Sequence, residues 1–139
     1  MKHPSSRAGH LATLVGALAV GLGGIALEWQ RFELAGVGAR GYEVPLVAQI
    51  VLVLAALVFV AAALGIATRF RRRFGLVTLS GSLFLLGWVA AAHVSRAAGL
   101  PVMPDETITM GPGWYLAVGG AAVAAVGAVV ALSGAGRRP

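Results

Sequence analysis

Apolar residues run along this chain in four long blocks, Leu11–Leu27, Pro45–Thr68, Gly75–Ser95 and Gly113–Leu132, with the charged residues gathered between them. The blocks hold 17, 24, 21 and 20 residues. An α-helix rises about 1.5 Å per residue, so about 20 residues span the roughly 30 Å hydrocarbon layer of a bilayer. Backbone amides in hydrocarbon must bond within their own segment, which selects helix for runs of this length. The alternation of a membrane β-strand is absent, and no strand is expected elsewhere. The expected fold is an all-α membrane protein, a four-helix bundle over residues 11–27, 45–68, 75–95 and 113–132. It forms a single domain spanning 1–139, joined by outer loops 28–44 and 96–112. Pro45 suits the first turn of the second helix, where a missing N–H costs nothing. Pro101, Pro104 and Pro112 should make the second outer loop extended and stiff.

Charge orients the bundle. Lys2 and Arg7, Arg69, Arg71, Arg72 and Arg73, and Arg137 and Arg138 place eight basic residues on one side. The other side has three, Arg31, Arg40 and Arg96, together with all five acids. Basic residues accumulate in cytoplasmic loops, so both termini and the Arg69–Arg73 turn are expected in the cytoplasm of a bacterial inner membrane. Trp29, Phe32, Tyr42, Trp114 and Tyr115 gather at the outer boundary, where amphipathic rings prefer the headgroup level. Lys2 and Arg7 before an apolar run, with the small residues Gly24 and Ala26 near its end at −3 and −1 positions, also fit a cleaved leader. The run is long for one, and keeping it gives an even number of spans with consistent flanks.

Composition narrows the classes. Hydrophobic residues make up 58% and charged residues 12%, against about 25% charged in soluble domains. The net charge of +6 lies at the ends of apolar runs and makes no basic face, so nucleic acid is not expected as a partner. Cysteine is absent, which removes disulfides, thiolate metal sites and thiol catalysis. Glu28, Glu33, Glu43, Asp105 and Glu106 bring no nucleophile, oxyanion donor or phosphate loop with them. Pairing with Arg31, Arg40 or Arg96 is their expected role, and no enzyme is expected.

Four features could carry function. Gly120, Ala124 and Ala128 on the fourth helix recur every four residues, as do Gly16 and Val20 beside Gly24 on the first, and small residues at this spacing let helix backbones approach closely. Those faces pack inside the bundle or dock on another protein. Thr78, Ser82 and His93 share roughly a 60° arc of the third helix, and Gln49 falls at the depth of His93 on its antiparallel neighbour. An ionisable residue inside a membrane is a functional candidate by default. His93 could hold a haem or chlorin, or simply bond to Gln49, and no cofactor is expected outright. A copper site from His93, Met103 and Met110 beside Asp105 and Glu106 matches no known spacing, and no metal is expected. Arg69, Arg71, Arg72 and Arg73 suit anionic lipid headgroups, each worth about 1 kcal/mol near the surface.

The Trp29 boundary, the Arg69–Arg73 turn and the Gly111–Pro112–Gly113–Trp114–Tyr115 entry to an Ala/Gly-rich last helix resemble small four-helix membrane proteins of high-GC bacteria. The chain is similar in this respect to the actinobacterial membrane protein family associated with tryptophan biosynthesis operons. The resemblance covers helix layout and flanks, and it implies the fold without a biochemical activity. The expected function is a non-catalytic accessory or assembly subunit of a larger membrane complex, bound to other subunits or to itself. A small homo-oligomeric transporter or channel is the alternative, and a haem- or chlorin-binding subunit a third.

Overall fold

A computed structural model describes residues 4–43, 47–94 and 108–136. Four helices dominate: α1 (Pro4–Ala26), α2 (Val47–Ala67), α3 (Arg71–Val94) and α4 (Pro112–Gly136). All four are long and apolar enough to cross a membrane. Each packs on its neighbours in a closed ring, α1 on α2, α2 on α3, α3 on α4 and α4 on α1, with α1–α4 the most extensive contact. One end of the bundle carries the start of α1, the end of α4 and the α2–α3 turn; we call it the terminal end.

Helix limits depart from the apolar blocks where polar residues can still serve a helix. α1 begins at Pro4, not Leu11. Proline tolerates the first helical position because its missing N–H would have no partner there. Ser6 and His10 thereby become helical residues, and both are buried. α3 begins at Arg71, so three arginines occupy its first turn. Pro112 opens α4 and is not part of the preceding loop.

The other departure is a β-sheet, where only loops were expected. β1 (Glu28–Phe32) pairs antiparallel with β2 (Val37–Arg40) and with β3 (Ile108–Met110), in the order β2-β1-β3. Segments about 80 residues apart in sequence thus form one sheet, and that is why no local pattern announced it. The β1–β2 hairpin turns through Glu33–Gly36, with Gly36 at φ 63°, a conformation that costs a side chain roughly 1–2 kcal/mol. Trp29 is an extra residue in β1, because Glu28 faces Arg40 while Gln30 faces Ala39. Such a bulge bends the strand, and here both Trp29 and Gln30 are buried.

Backbone bonds seat this sheet on the helices. The Gly111 amide donates to the Trp29 carbonyl at 2.8 Å, and the Trp114 amide donates to the Gly111 carbonyl at 3.1 Å. The Trp114 indole N–H donates to the Val89 carbonyl on α3 at 3.0 Å. Trp29 then enters the main apolar core with Val20, Val51, Ala55, Leu85, Val89, Ala117 and Ala121.

The α1–α4 seam is built from glycine at seven-residue spacing. Gly9, Gly16 and Gly23 of α1 meet Gly127, Gly120 and Gly113 of α4 in antiparallel order. A Cβ on Gly16 would lie 2.5 Å from the Ala124 nitrogen, and one on Gly127 would lie 2.7 Å from the Gly9 carbonyl oxygen. Only glycine lets two helix backbones come this close. Gly16, Gly120, Ala124 and Ala128 are all buried within the bundle. Gly24 is not part of this seam. It packs against Leu52 of α2 and lies under Gly41.

Candidate functional site

The interior changes character along its length. In the half nearest the sheet it is apolar apart from the Trp29 indole nitrogen and the Gln30 amide oxygen, both buried without a partner among the described residues. In the half nearest the terminal end it contains Ser6, His10 and Thr13 on α1 and Thr78 and Ser82 on α3, each no more than 2% exposed. Ser6, His10 and Thr13 follow i, i+4, i+7 spacing, so they share one face of α1. The i, i+4, i+7 spacing is legible in the sequence, but His10 stands one residue before the apolar block that opens at Leu11, so the block alone does not include this face.

Each polar group meets a different fate. The Thr13 hydroxyl bonds to the Gly9 carbonyl at 3.0 Å and reaches the Ala124 carbonyl of α4 at 3.2 Å. Thr78 bonds back to the Gly75 carbonyl at 3.0 Å. The Ser6 hydroxyl, both imidazole nitrogens of His10, and the Thr68 and Ser82 hydroxyls have no partner among the described residues. An unmet buried donor or acceptor costs about 1–3 kcal/mol, so each of these atoms calls for a partner.

His10 has a place made for it. Its ring lies over Gly65 of α2, where an added Cβ would come 2.5 Å from the imidazole Cε1. The backbone of Arg71, at the start of α3, is its polar neighbour, outside hydrogen-bond geometry. One imidazole from α1 therefore wedges beneath the α2–α3 turn.

The residues singled out from sequence do not converge. Thr78 and Ser82 face the interior, but Gln49 is exposed on the outside of the bundle, so these three cannot line one path within a single chain. His93 lies within α3; its side chain is outside the described residues, as are Met103, Asp105 and Glu106. Met110 belongs to β3, paired with Gln30. Among the described residues no group of three or more His, Cys, Asp and Glu side chains is placed to hold a metal.

The arginine turn has a definite arrangement. The guanidinium carbons of Arg69 and Arg73 stand 5.6 and 5.5 Å from the Phe70 ring centroid, within cation–π range. Phe70 is half exposed. At the sheet end, two carboxylates behave otherwise than expected. Glu43 accepts from the Arg40 backbone amide at 2.7 Å and Glu33 from the Thr109 hydroxyl at 3.0 Å. They tie the short 3-10 turn Gly41–Glu43 to β2 and the hairpin turn to β3, and neither bond is to a guanidinium.

The class defined by these features is a four-helix chain of membrane-spanning dimensions, capped at one end by a small sheet drawn from both long connections. No known protein family, curated protein or solved structure matches it. Its functional reading therefore rests on its own geometry.

Proposed function

We propose that this protein is a non-catalytic accessory or assembly subunit of a larger complex in the bacterial cytoplasmic membrane, with its sheet outside and both termini in the cytoplasm. The observation that carries this reading is the sheet. Two connections of an otherwise apolar bundle are spent on a surface held by backbone bonds to α4 and by Trp29 in the core. β2 is an edge strand, and edge strands are where a partner can add main-chain bonds. Leu34 and Val37, at the hairpin end, are 63% and 58% exposed. The outer surface of the helices is mostly apolar, with Phe84 and Tyr115 exposed among the aliphatic side chains, and suits lipid or neighbouring helices.

The cytoplasmic turn supports the orientation. Arg69 and Arg73 held against Phe70 would meet anionic headgroups of the inner leaflet, where each charge contributes about 1 kcal/mol.

The test is purification in a gentle detergent followed by mass spectrometry with lipids retained. A stoichiometric partner is expected, and it should be lost in a Leu34→Asp, Val37→Asp double variant whose helices remain intact. A monodisperse protein with no partner would sink the proposal.

The transporter reading draws on the buried hydroxyls of Thr78 and Ser82. With Gln49 on the opposite, outer side, its lining would have to be shared between protomers. The pigment reading through His93 is decided by an absorption spectrum of the purified protein.

A further inference from the structure

We propose that the junction beneath the α2–α3 turn is an internal water-binding site anchored by His10. The argument starts from helix geometry. Ser6 and His10 are one turn apart on one face of α1, with Cβ atoms about 6 Å apart. His10 rests on Gly65, and Thr68 follows Gly65 by three residues, where α2 ends. Ser6, His10 and Thr68 thus come to one level of the bundle, next to the backbone of Arg71. Ser82 does not belong to this group. It lies eleven residues into α3, about 16 Å along that helix.

Three residues at this level contribute four polar atoms without a partner: Ser6 Oγ, His10 Nδ1, His10 Nε2 and Thr68 Oγ1. His10 is 0% exposed and Ser6 2% exposed. A neutral imidazole offers one donor and one acceptor, and each hydroxyl offers both. A buried water takes roughly two to four such partners, so the set matches one or two waters in number and in kind. A larger guest does not suit it, because the imidazole already fills the space above Gly65. An anion suits it less well: Arg71 is the arginine whose charge reaches His10 and it is partly exposed, Arg72 and Arg73 are exposed, and a neutral His10 supplies one N–H, so among the described residues no fully buried cation stands at this level. The arginine-rich turn brings bulk water to the terminal end, within one helical turn of the site.

The consequence is an imidazole that is buried yet exchanges protons with water at that end of the bundle. Magic-angle-spinning NMR on the full chain in lipid bilayers reads this directly. Labelling histidine with nitrogen-15 in a His3→Gln, His93→Gln background leaves His10 as the single reporter. Magnetisation transfer from water protons to the His10 ring nitrogens is expected, and Ser6→Ala and Thr68→Val should each reduce it markedly. No transfer to the ring, while the backbone amides of Arg71, Arg72 and Arg73 do receive it, would overturn the site. Transfer unchanged in both variants would overturn the assignment of its partners. The unsubstituted site alone decides the first question if either variant fails to fold.

Discussion

Gly16→Ala tests whether backbone contact across the α1–α4 seam holds this bundle together. The added Cβ would face the Gly120 carbonyl oxygen, the Ala124 nitrogen at 2.5 Å and the Ala124 Cα at 2.9 Å, where ordinary contact begins at 3.4 Å. Every one of these atoms is backbone, so no side chain can swing aside. The helices must part by about 1 Å, and a gap of that size forfeits a quarter to a half of each dispersion contact nearby. Overpacking of this kind costs about 1–3 kcal/mol, and a rigid backbone neighbour places it near 3. Alanine returns up to about 1 kcal/mol of helix propensity. The net loss is therefore about 2 kcal/mol, roughly a 30-fold shift in the unfolding equilibrium. Gly21→Ala on the same helix is the control. Its Cβ would meet nothing within 4 Å, so only the propensity gain applies. Unfolding by a denaturing detergent, followed by circular dichroism in mixed micelles, should separate the two variants by about 3 kcal/mol. Equal midpoints would refute the reasoning. A Gly16→Ala, Gly120→Ala double variant should cost less than the two singles added together, because one separation of the helices accommodates both methyls.

Two other outcomes follow from the sheet and its seat. Trp114→Phe removes the indole bond to the Val89 carbonyl and should cost about 1 kcal/mol in the same assay, while Tyr115→Phe, at a side chain 63% exposed, should be silent. Equal effects would show that the indole bond does not brace α4 against α3. Gly36→Val places a branched side chain at φ 63° and should raise amide exchange across Val37–Arg40, with a local cost of about 1–2 kcal/mol. Gly36→Asn should be better tolerated, because asparagine visits that conformation more readily; indistinguishable exchange in the two variants would argue against the turn geometry.

The number, approximate extent and order of the four helices were legible in the chain itself. Each is decided by a local quantity, the run of apolar residues long enough to span hydrocarbon, and that needs no partner to be recognised. Small residues on α1 and α4 were legible as well, but their partners were not. Gly24 turned to α2 while Gly9, Gly16 and Gly23 took the seam, because rotation of a helix about its axis is set by what packs against it. The same holds for His10. Its distance along the chain from Gly65 and Thr68 hides that they share one level, so a residue on the edge of an apolar block became the most buried ionisable group described. The sheet is the clearest case. β1 and β3 have no mutual sequence signal, and it is the packing of α1 on α4 that places Leu27 and Gly111 at the same end of the bundle. What the amino-acid order determines alone is which segments avoid water; which faces meet, and what is trapped between them, is decided by the closed packing of all four helices.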